Sequence, residues 1–344
     1  MAENAHTLAE LRQLQALPLE AKFGLTFNRV RGWLQQHDAF VSFSGGLDSK
    51  VVRHIARQVR PSIPSVFLNT RTEHRSIIAA VRATENVEEI RPDITFAKAV
   101  EKYGWCVPYK EVAGAIYEAR AGGPAKIKAM QGLNGDGTHS DYRSRVFKPY
   151  AYLMDAPFLI SDFCCDALKK HPMDKYCEEN YTTPILGTRA EESPNRRTSW
   201  LKNGCNGWDM ERPASRPISF WTKQDVLQYI QLHNLPIPSV YGEIVEDEAG
   251  GLRCTGQDRT GCQCCPVGAK KFSKNQLSKF ELMARDDPMY HAGLMRSRMG
   301  LREVLLAIDA PLGCTACGGR CYCGADPNAP RYKGECKQQL KLRL

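Results

Sequence analysis

The run SGGLDS, from Ser44 to Ser49, is the part of this chain best suited to holding a phosphate group. The apolar segment before it, Ala39 to Phe43, is typical of a buried parallel strand, and helical spacing follows it. Paired glycines let the backbone turn tightly and let a ligand approach the main chain, because no Cβ is in the way. A strand-to-helix turn also directs unpaired N–H groups and the positive end of a helix at one point. The sequence therefore predicts an anion site here.

The spacing within this run excludes two other phosphate-binding loops. The GxxxxGK[ST] pattern of a Walker A loop and the GxGxxG pattern of a dinucleotide site are both absent. A purely structural turn explains a glycine pair, but it accounts less well for the complete run. We expect Asp48 or Ser49 to cap the helix that follows, over Lys50 to Gln58.

Polar and basic side chains follow two further apolar segments. Asn69 and Thr70 end one of them, and Arg189 and Arg196 follow the other. Ligand-contacting residues gather at the carboxyl ends of strands in open α/β sheets, so Asn69 and Thr70 are positioned to contact a base or ribose. The two arginines can clamp a phosphate or sulfonate in bidentate fashion. A strand-end turn and a charged helix start are the structural alternatives.

Fourteen cysteines are many for 344 residues, and they occur in clusters. Cys164 and Cys165 are adjacent, and Cys262 and Cys265 form a CxxC. Thiols stay reduced inside cells, so such clusters indicate a metal rather than disulfides. Thiolates are soft ligands that suit iron–sulfur clusters and zinc. We predict a four-thiolate site, with Cys264 as a substitute ligand; buried core thiols or a redox-active CxxC are the alternatives.

A second cysteine group lies near the C-terminus. Its members fall within ten residues and are set among glycines: Cys314, Cys317, Cys321 and Cys323. This spacing predicts a compact knuckle that needs a metal to hold its shape, and zinc is expected over a second cluster. The alternative is a group of oxidation-sensitive thiols without metal. Cys336, in a polar and basic tail, is either a mobile reactive thiol or an ordinary surface cysteine.

Alternating strand and helix patterns predict the fold that must position these residues. The pattern is typical of an α/β protein with a doubly wound parallel sheet and a cysteine-rich C-terminal appendage. We expect an N-terminal helical segment over 1–36, a nucleotide-binding α/β domain over 37–240, and a C-terminal region over 241–344 that completes the cluster site. Residues 121–148, rich in Gly, Lys, Asp and Ser, are predicted to be a long, mobile insertion.

The charge balance and hydropathy limit the partners. A net charge of +9 favours an anionic partner, which means nucleotides, nucleic acid or a nucleic-acid-binding complex. No apolar run reaches about 20 residues, and no basic segment followed by an apolar core opens the chain. A cytoplasmic protein without a membrane partner is therefore expected, and its length allows a large core.

The SGGxDS run resembles the pyrophosphate-loop (PP-loop) signature of the adenine nucleotide α-hydrolase superfamily. From Phe40 to about Met295, the chain further resembles the phosphoadenosine-phosphosulfate reductase family. That family includes sulfonucleotide reductases, a DNA-phosphorothioation sulfurtransferase, and phage and mobile-element members. The motifs that carry this resemblance stand in one order: Ser44–Ser49, Pro92–Lys110, Cys164–Cys165, Gly187–Ser193 and Thr260–Cys265.

The resemblance implies an adenine nucleotide (ATP, adenylylsulfate or its 3′-phosphorylated form) and Mg²⁺ positioned with help from Asp48. A homodimer is one assembly considered, but the sequence does not fix the oligomeric state. It implies a [4Fe–4S] cluster on four residues: Cys164, Cys165, Cys262 and Cys265. The catalytic residues expected are Asp48, Ser49, Arg189 and Cys336. The residues expected to bind the nucleotide are Ser42, Ser44, Gly45, Gly46, Leu47, Asp48, Ser49, Asn69, Thr70, Gly187, Arg189 and Arg196.

Two departures from the family pattern bear on the chemistry. The reductases typically carry a nucleophilic cysteine in Glu-Cys-Gly-Leu-His, whereas Cys336 is followed by Lys337; they also often depart from SGGxDS, which is intact here. We therefore expect cleavage of ATP to AMP and pyrophosphate, which activates an acceptor in sulfur-related chemistry. One alternative is thiol-dependent reduction of an adenylylated sulfate to sulfite. The other is a nucleic-acid-associated accessory protein of a mobile-element or defence system that uses nucleotide binding.

Overall fold

The structure, a computed structural model, describes residues 6–269 and 277–313. The chain divides into two units: unit 1 comprises Met1–Asp93 and His171–Gln263, and unit 2 comprises Ile94–Lys170 and Cys264–Leu344. The boundaries expected near residues 36 and 240 do not coincide with these divisions. Each unit draws on two separate segments of the chain. The predicted domain boundaries stay a prediction.

The central sheet lies in unit 1. The described strands are β1 (Ala39–Ser42), β2 (Ser65–Leu68), β3 (Val87–Ile90), β4 (Thr183–Leu186), β5 (Asn206–Gly207), β6 (Ala214–Ser215), β7 (Ile244–Glu246) and β8 (Leu252–Cys254). The first six form one sheet in the order β3-β2-β1-β4-β6-β5, and β7 pairs with β8. Every neighbour in the large sheet is parallel except β5 with β6. The predicted α/β fold with a mostly parallel sheet is confirmed.

Helices make up most of the remaining regular structure. The described α-helices are α1 (Leu8–Ala16), α2 (Leu19–Gln36), α3 (Leu47–Val59), α4 (Arg75–Arg82), α5 (Phe96–Tyr103), α6 (Lys110–Arg120), α7 (Pro124–Met130), α8 (Asp141–Val146), α9 (His171–Glu179), α10 (Pro194–Asn203), α11 (Lys223–Leu232), α12 (Lys279–Asp286), α13 (Pro288–Met295) and α14 (Leu301–Ala307). Helices α5–α8 and α12–α14 belong to unit 2, and the others belong to unit 1. Among the described helices, none is long and apolar enough to cross a membrane.

Strand β1 occupies the centre of the sheet. Its Val41 is aligned with Ser65 of β2 on one side and with Ile185 of β4 on the other. Val41 and Ile185 are fully buried, as expected where helices cover both faces of a parallel sheet. The strand order reverses between β1 and β4, and such a reversal opens a crevice at the carboxyl ends of the two strands.

A buried ion pair ties α2 to the start of α11. Lys22 is 2% exposed, and its Nζ lies 2.8 and 2.7 Å from the two carboxylate oxygens of Asp225. The same ammonium donates to the carbonyl oxygen of Gln15 at 2.7 Å. Asp225 also accepts a hydrogen bond from the backbone N–H of Thr222 at 2.6 Å, which caps α11. The pair is therefore fully hydrogen-bonded, as a buried charge requires.

The segment 121–148, predicted to be a long, mobile insertion, contains regular helices. It contains α7 and α8, and it buries Ala129, Met130 and Phe147. Ser140 caps α8 by accepting a hydrogen bond from the N–H of Arg143. The glycines that indicated a loop lie in short turns beside these helices, where positive φ angles are needed at Gly122, Gly132 and Gly137.

We predict that replacing Lys22 with Met lowers the free energy of unfolding by about 3–5 kcal/mol, because the Asp225 carboxylate is left buried without its cation. Urea denaturation measures the change. Lys202→Met, at an exposed position of α10, is the matched control and should change stability by less than about 0.5 kcal/mol. Equal stability of the two variants would contradict a structural role for the pair.

Candidate functional site

The SGGxDS run forms the connection between β1 and α3. Helix α3 begins at Leu47, and Gly46 is its N-cap residue without a side-chain capping bond. The prediction that Asp48 or Ser49 caps the helix is therefore wrong, because both residues lie inside its first turn. The Ser49 hydroxyl instead donates to the carbonyl oxygen of Gly46 at 2.9 Å. The Ser44 hydroxyl lies 3.2 Å from the Ser49 hydroxyl.

The first turn of α3 presents backbone donors. Within the described part of the chain, the N–H groups of Leu47, Asp48 and Ser49 donate to no protein acceptor. Helix N-termini leave such groups unpaired and carry a partial positive charge, and both properties favour an anion. Gly45 makes the turn possible, since its φ is +73° and a Cβ there would lie 2.7 Å from Cγ2 of Val81.

Strand β4 ends directly against this turn. A Cβ on Gly187 would lie 2.8 Å from the carbonyl carbon of Asp48 and 2.8 Å from the backbone nitrogen of Ser49. No real Cβ approaches backbone atoms so closely, so only glycine allows β4 to approach the run. Gly187 therefore sets the distance between the two strand ends on which the site is built.

A cavity of about 420 Å³ opens at the run and lies entirely within unit 1. The run and the end of β4 contribute residues that the sequence predicted: Ser44, Gly46, Leu47, Asp48, Ser49, Gly187, Arg189 and Arg196. Other lining residues were not predicted, among them Glu191, Glu192, Lys223, Tyr241 and Arg259. Their partners explain the electrostatics of the cavity.

Arg189 is shared by two carboxylates. It is 8% exposed, and its guanidinium donates to Asp48 and to Glu191. Burial raises the pKa of Asp48, and the positive charge of Arg189 offsets this only in part. Burial also acts to lower the pKa of Arg189, but its carboxylate neighbours outweigh that effect and the pKa is raised. The Asp48 carboxylate is thus occupied by a guanidinium.

Glu192 is shared by two guanidiniums. Arg196 and Arg259 both form ion pairs with its carboxylate, the latter at 2.9 Å. Glu192 also accepts the backbone N–H of Arg189 at 2.8 Å. The Arg196 and Arg259 side chains are 38% and 65% exposed, so they have room to turn. One carboxylate between two cations leaves positive charge available to an anion.

Tyr241 lines the cavity close to the run. Its hydroxyl lies 2.8 Å from the Thr260 hydroxyl, and a Cβ on Gly46 would come within 3.3 Å of it. Burial raises the pKa of Tyr241 to about 12, so the phenol is neutral near neutral pH. No motif indicated this residue in the sequence, because an isolated tyrosine about 200 residues from the run carries no pattern of its own.

Asn69 and Thr70 do not line this cavity. They follow β2 at the expected edge, but both are buried and hydrogen-bonded to neighbouring side chains. The Asn69 amide donates to Glu89 at 2.9 Å, and the Thr70 hydroxyl donates to Glu73 at 2.7 Å. Ser42, the last residue of β1, is also absent from the lining. Gly45 is absent from the lining as well, so nucleotide contacts from Ser42, Gly45, Asn69 and Thr70 stay a prediction.

Several thiols interact within unit 2. A hydrogen bond from Cys164 lowers the pKa of Cys165 against the effect of burial, and the Lys110 ammonium, which also hydrogen-bonds Cys165, lowers it further. The same bond raises the pKa of Cys164. Burial raises the pKa of Cys106, which interacts electrostatically with Cys165 and Cys265. The sequence prediction missed Cys106 and Lys110; the only available signal was their position in the segment Pro92–Lys110.

The metal predictions are not established by these contacts. Soft thiolates fit an iron–sulfur cluster, but Cys262 belongs to unit 1. Within residues 6–269 and 277–313, no group of three or more His, Cys, Asp or Glu side chains is arranged to hold a metal ion. The cluster therefore stays a prediction. The other predicted thiols lie outside the described residues: Cys314, Cys317, Cys321, Cys323 and Cys336.

Comparison with known families decides which family the chain belongs to. The family model for the phosphoadenosine phosphosulfate reductase domain matches residues 38–267. The chain belongs to this family. The match runs from the start of β1 to beyond Cys265, so it includes both the SGGxDS run and the CxxC. The resemblance predicted from the sequence motifs is confirmed.

Curated relatives within the phosphoadenosine phosphosulfate reductase family agree. A phosphoadenosine 5′-phosphosulfate reductase of Xanthomonas oryzae pv. oryzae (strain PXO99A) is 26% identical over 241 residues, which cover 67% of this chain and 78% of that protein. Adenosine 5′-phosphosulfate reductase 2 of Bacillus subtilis (strain 168) is 30% identical over 116 residues, or 29% of this chain and 48% of that protein.

A solved structure extends the comparison. The phosphate complex of a phosphoadenylyl-sulfate reductase from Candida auris is 12% identical, with a TM-score of 0.37, over 73% of this chain and 100% of that chain. A likeness of this size carries no argument about the site. The family assignment depends on the sequence match over residues 38–267.

We predict that Gly187→Ala weakens binding of adenosine 5′-phosphosulfate by roughly tenfold or more. The added methyl group displaces the backbone at Asp48 and Ser49, and losing one charge-assisted hydrogen bond costs about 1.5–3 kcal/mol. Isothermal titration calorimetry measures the affinity. Gly24→Ala in α2, where no atom lies within 4 Å of the new methyl group, is the control and should bind as wild type does. Unchanged binding by Gly187→Ala would refute this role.

Iron content directly tests the predicted cluster. Protein purified without oxygen should contain about four iron atoms per chain, as a [4Fe–4S] cluster requires, and Cys165→Ser should lose most of them. Cys177→Ser in α9 is the control, because Cys177 lies outside the predicted ligand set. Iron retained by Cys165→Ser, or zinc in place of iron, would exclude the predicted ligand set.

Proposed function

We propose that this chain binds an adenylylated sulfate in the cavity at the SGGxDS run and reduces its sulfur to sulfite. The substrate class is adenosine 5′-phosphosulfate or its 3′-phosphorylated form. The family match supports this proposal, as do relatives that are themselves phosphoadenosine or adenosine 5′-phosphosulfate reductases. The match covers the run, the strand end with Arg189, and Cys265.

The ion pair between Asp48 and Arg189 is the observation that favours a sulfonucleotide over ATP with Mg²⁺. Magnesium in nucleotide sites usually needs one or two carboxylates, and the Asp48 carboxylate is already occupied by a buried guanidinium. A sulfonucleotide binds without that ion. Its phosphate and sulfonate oxygens can accept from the N–H groups at the start of α3 and from Arg196 and Arg259.

The proposed reaction has two steps. A thiolate attacks the sulfur of the substrate, the bond between sulfur and the bridging phosphate oxygen breaks, and AMP or its 3′-phosphorylated form leaves. The enzyme then carries an S-sulfonate. A thiol of an external dithiol reductant attacks the cysteine sulfur of this S-sulfonate, sulfite leaves, and the second thiol closes a disulfide in the reductant. Cys336 is the proposed nucleophile.

Residues of this chain assist at the leaving group. Negative charge builds on the phosphate oxygen as the sulfur–oxygen bond breaks, and N–H groups at a helix N-terminus stabilise such charge. Arg196 and Arg259 can do the same if they release Glu192. Cys164, Cys165, Cys262 and Cys265 would hold the cluster, which stabilises the structure around it when bound.

A second candidate is cleavage of ATP to AMP and pyrophosphate. Here the acceptor bonds to the α-phosphorus, and the bond to the bridging oxygen of pyrophosphate breaks. The intact SGGxDS run is the observation that favours this reaction. The acceptor would take part in sulfur-related chemistry.

Three substrates separate the candidates. Incubation without oxygen, with dithiothreitol and either sulfonucleotide, should release sulfite, and Cys336→Ser should lower the rate by at least about a thousandfold because a covalent nucleophile is removed. Cys177→Ser is the control and should retain the wild-type rate. AMP from ATP labelled at the α position, without sulfite from either sulfonucleotide, would replace the first candidate by the second. No turnover, together with salt-sensitive nucleic-acid binding, would favour an accessory protein.

A further inference from the structure

A second cavity lies along α3, on a different face from the SGGxDS run. It measures about 470 Å³, lies within unit 1 and shares no lining residue with the cavity at the run. Lys50, Arg53 and Arg57 line it from α3, where spacings of three and four residues place side chains on one helix face. The far wall includes Thr84 and Glu85, beyond the end of α4. We call it the α3 cavity.

Positive charge exceeds negative charge in the α3 cavity. Glu85 is the only carboxylate among its lining residues, and it pairs with Arg57 at 2.9 Å. Arg53 bonds to neutral groups, the carbonyl oxygen of Glu85 at 2.6 Å and the Ser65 hydroxyl at 3.1 Å. The Nη1 group of Arg57 is buried and has no hydrogen-bond partner among the described residues. Two cationic charges therefore remain without a counter-ion.

Lys50 is the cation of the α3 cavity whose charged group has no polar partner among the described residues. Within the described part of the chain, its ammonium forms no hydrogen bond or ion pair, and it lies 5.6 Å from the centre of the Phe43 ring. Burial lowers the pKa of Lys50, and the neighbouring Arg53 lowers it further. A partly buried ammonium beside a second cation is costly unless an anion neutralises it.

We propose that the α3 cavity binds the phosphate group of a small phosphorylated molecule. Lys50 supplies a charge-assisted hydrogen bond, and the bonds of Arg53 to neutral groups leave its charge available to the same anion. The concave shape suits a small molecule rather than a flat macromolecular surface. The site is independent of the proposed reductase reaction, since it uses none of the residues at the run. Its occupant would contact the same helix whose first turn forms that run.

Inorganic pyrophosphate labelled with ³²P is the probe, and equilibrium dialysis gives both affinity and stoichiometry. All measurements are made in the Gly187→Ala background, in which the backbone at the run is displaced and pyrophosphate binding there is weakened. One pyrophosphate per chain should still bind, and Lys50→Gln should weaken it by at least about tenfold, as the loss of a charge-assisted hydrogen bond does. Arg57→Gln is a second variant with the same expected result. Lys50 has no hydrogen bond to lose, so its variant should fold normally.

Arg31→Gln is the matched control, because Arg31 is an exposed cation of α2 in the same unit and lies outside the cavity. It should bind pyrophosphate as wild type does. Equal weakening by Arg31→Gln and Lys50→Gln would mean that net charge alone attracts the probe, and this would overturn the proposal. Wild-type affinity for pyrophosphate in both cavity variants would also overturn the proposal. The same is true if Lys50→Gln weakens binding of a short oligonucleotide but does not weaken binding of pyrophosphate. Turnover of the sulfonucleotides is measured separately, so failure here leaves the proposed reaction standing.

Discussion

The close approach of β4 to the backbone of Asp48 and Ser49 is the constraint on which the candidate site depends. β1 and β4 are aligned residue by residue, from Ala39 with Thr183 to Ser42 with Leu186. The chain segments that leave the two strands therefore start side by side, and Gly187 lets them touch. Because they touch, Arg189 reaches Asp48, and the cavity forms between the first turn of α3 and the segment after β4.

Much of the sheet could be predicted from sequence, because strands that are buried on both faces read as short apolar segments. β1, β2 and β4 each read as a short apolar segment, and each lies where it was expected. β5 and β6 have two residues each, so they carry no periodic signal and exist only through their pairing. The helices of segment 121–148 were missed for a related reason: they are short, and the glycines between them dominate the composition.

The site was predictable as a set of motifs but not as a set of contacts. The run, Gly187 and the arginines after β4 carry residue types and spacing that indicate an anion site. The residues that pair with them carry no such signal. Glu192 is paired with Arg259, 67 residues away in sequence, and only the fold brings the two together. Asn69 shows the converse. The strand-end rule correctly puts Asn69 at the edge of the sheet where the strands end. Its amide, however, donates to Glu89 on a neighbouring strand, and no local pattern could indicate that bond.

The net charge of +9 predicts an anionic partner, but the cavity at the run and the α3 cavity use positive charge in different ways. At the run, each lining guanidinium already faces a carboxylate, so an entering anion must take the place of a carboxylate such as Glu192. Exchange of one oxyanion for another favours ligands whose oxygens match that geometry, as phosphate and sulfonate oxygens do. In the α3 cavity, Lys50 and Arg53 have no carboxylate to release, so an anion there adds attraction without an exchange cost. The first arrangement favours selectivity and the second favours affinity for any small multiply charged anion, which is why a substrate site is expected at the run and a less selective site along α3.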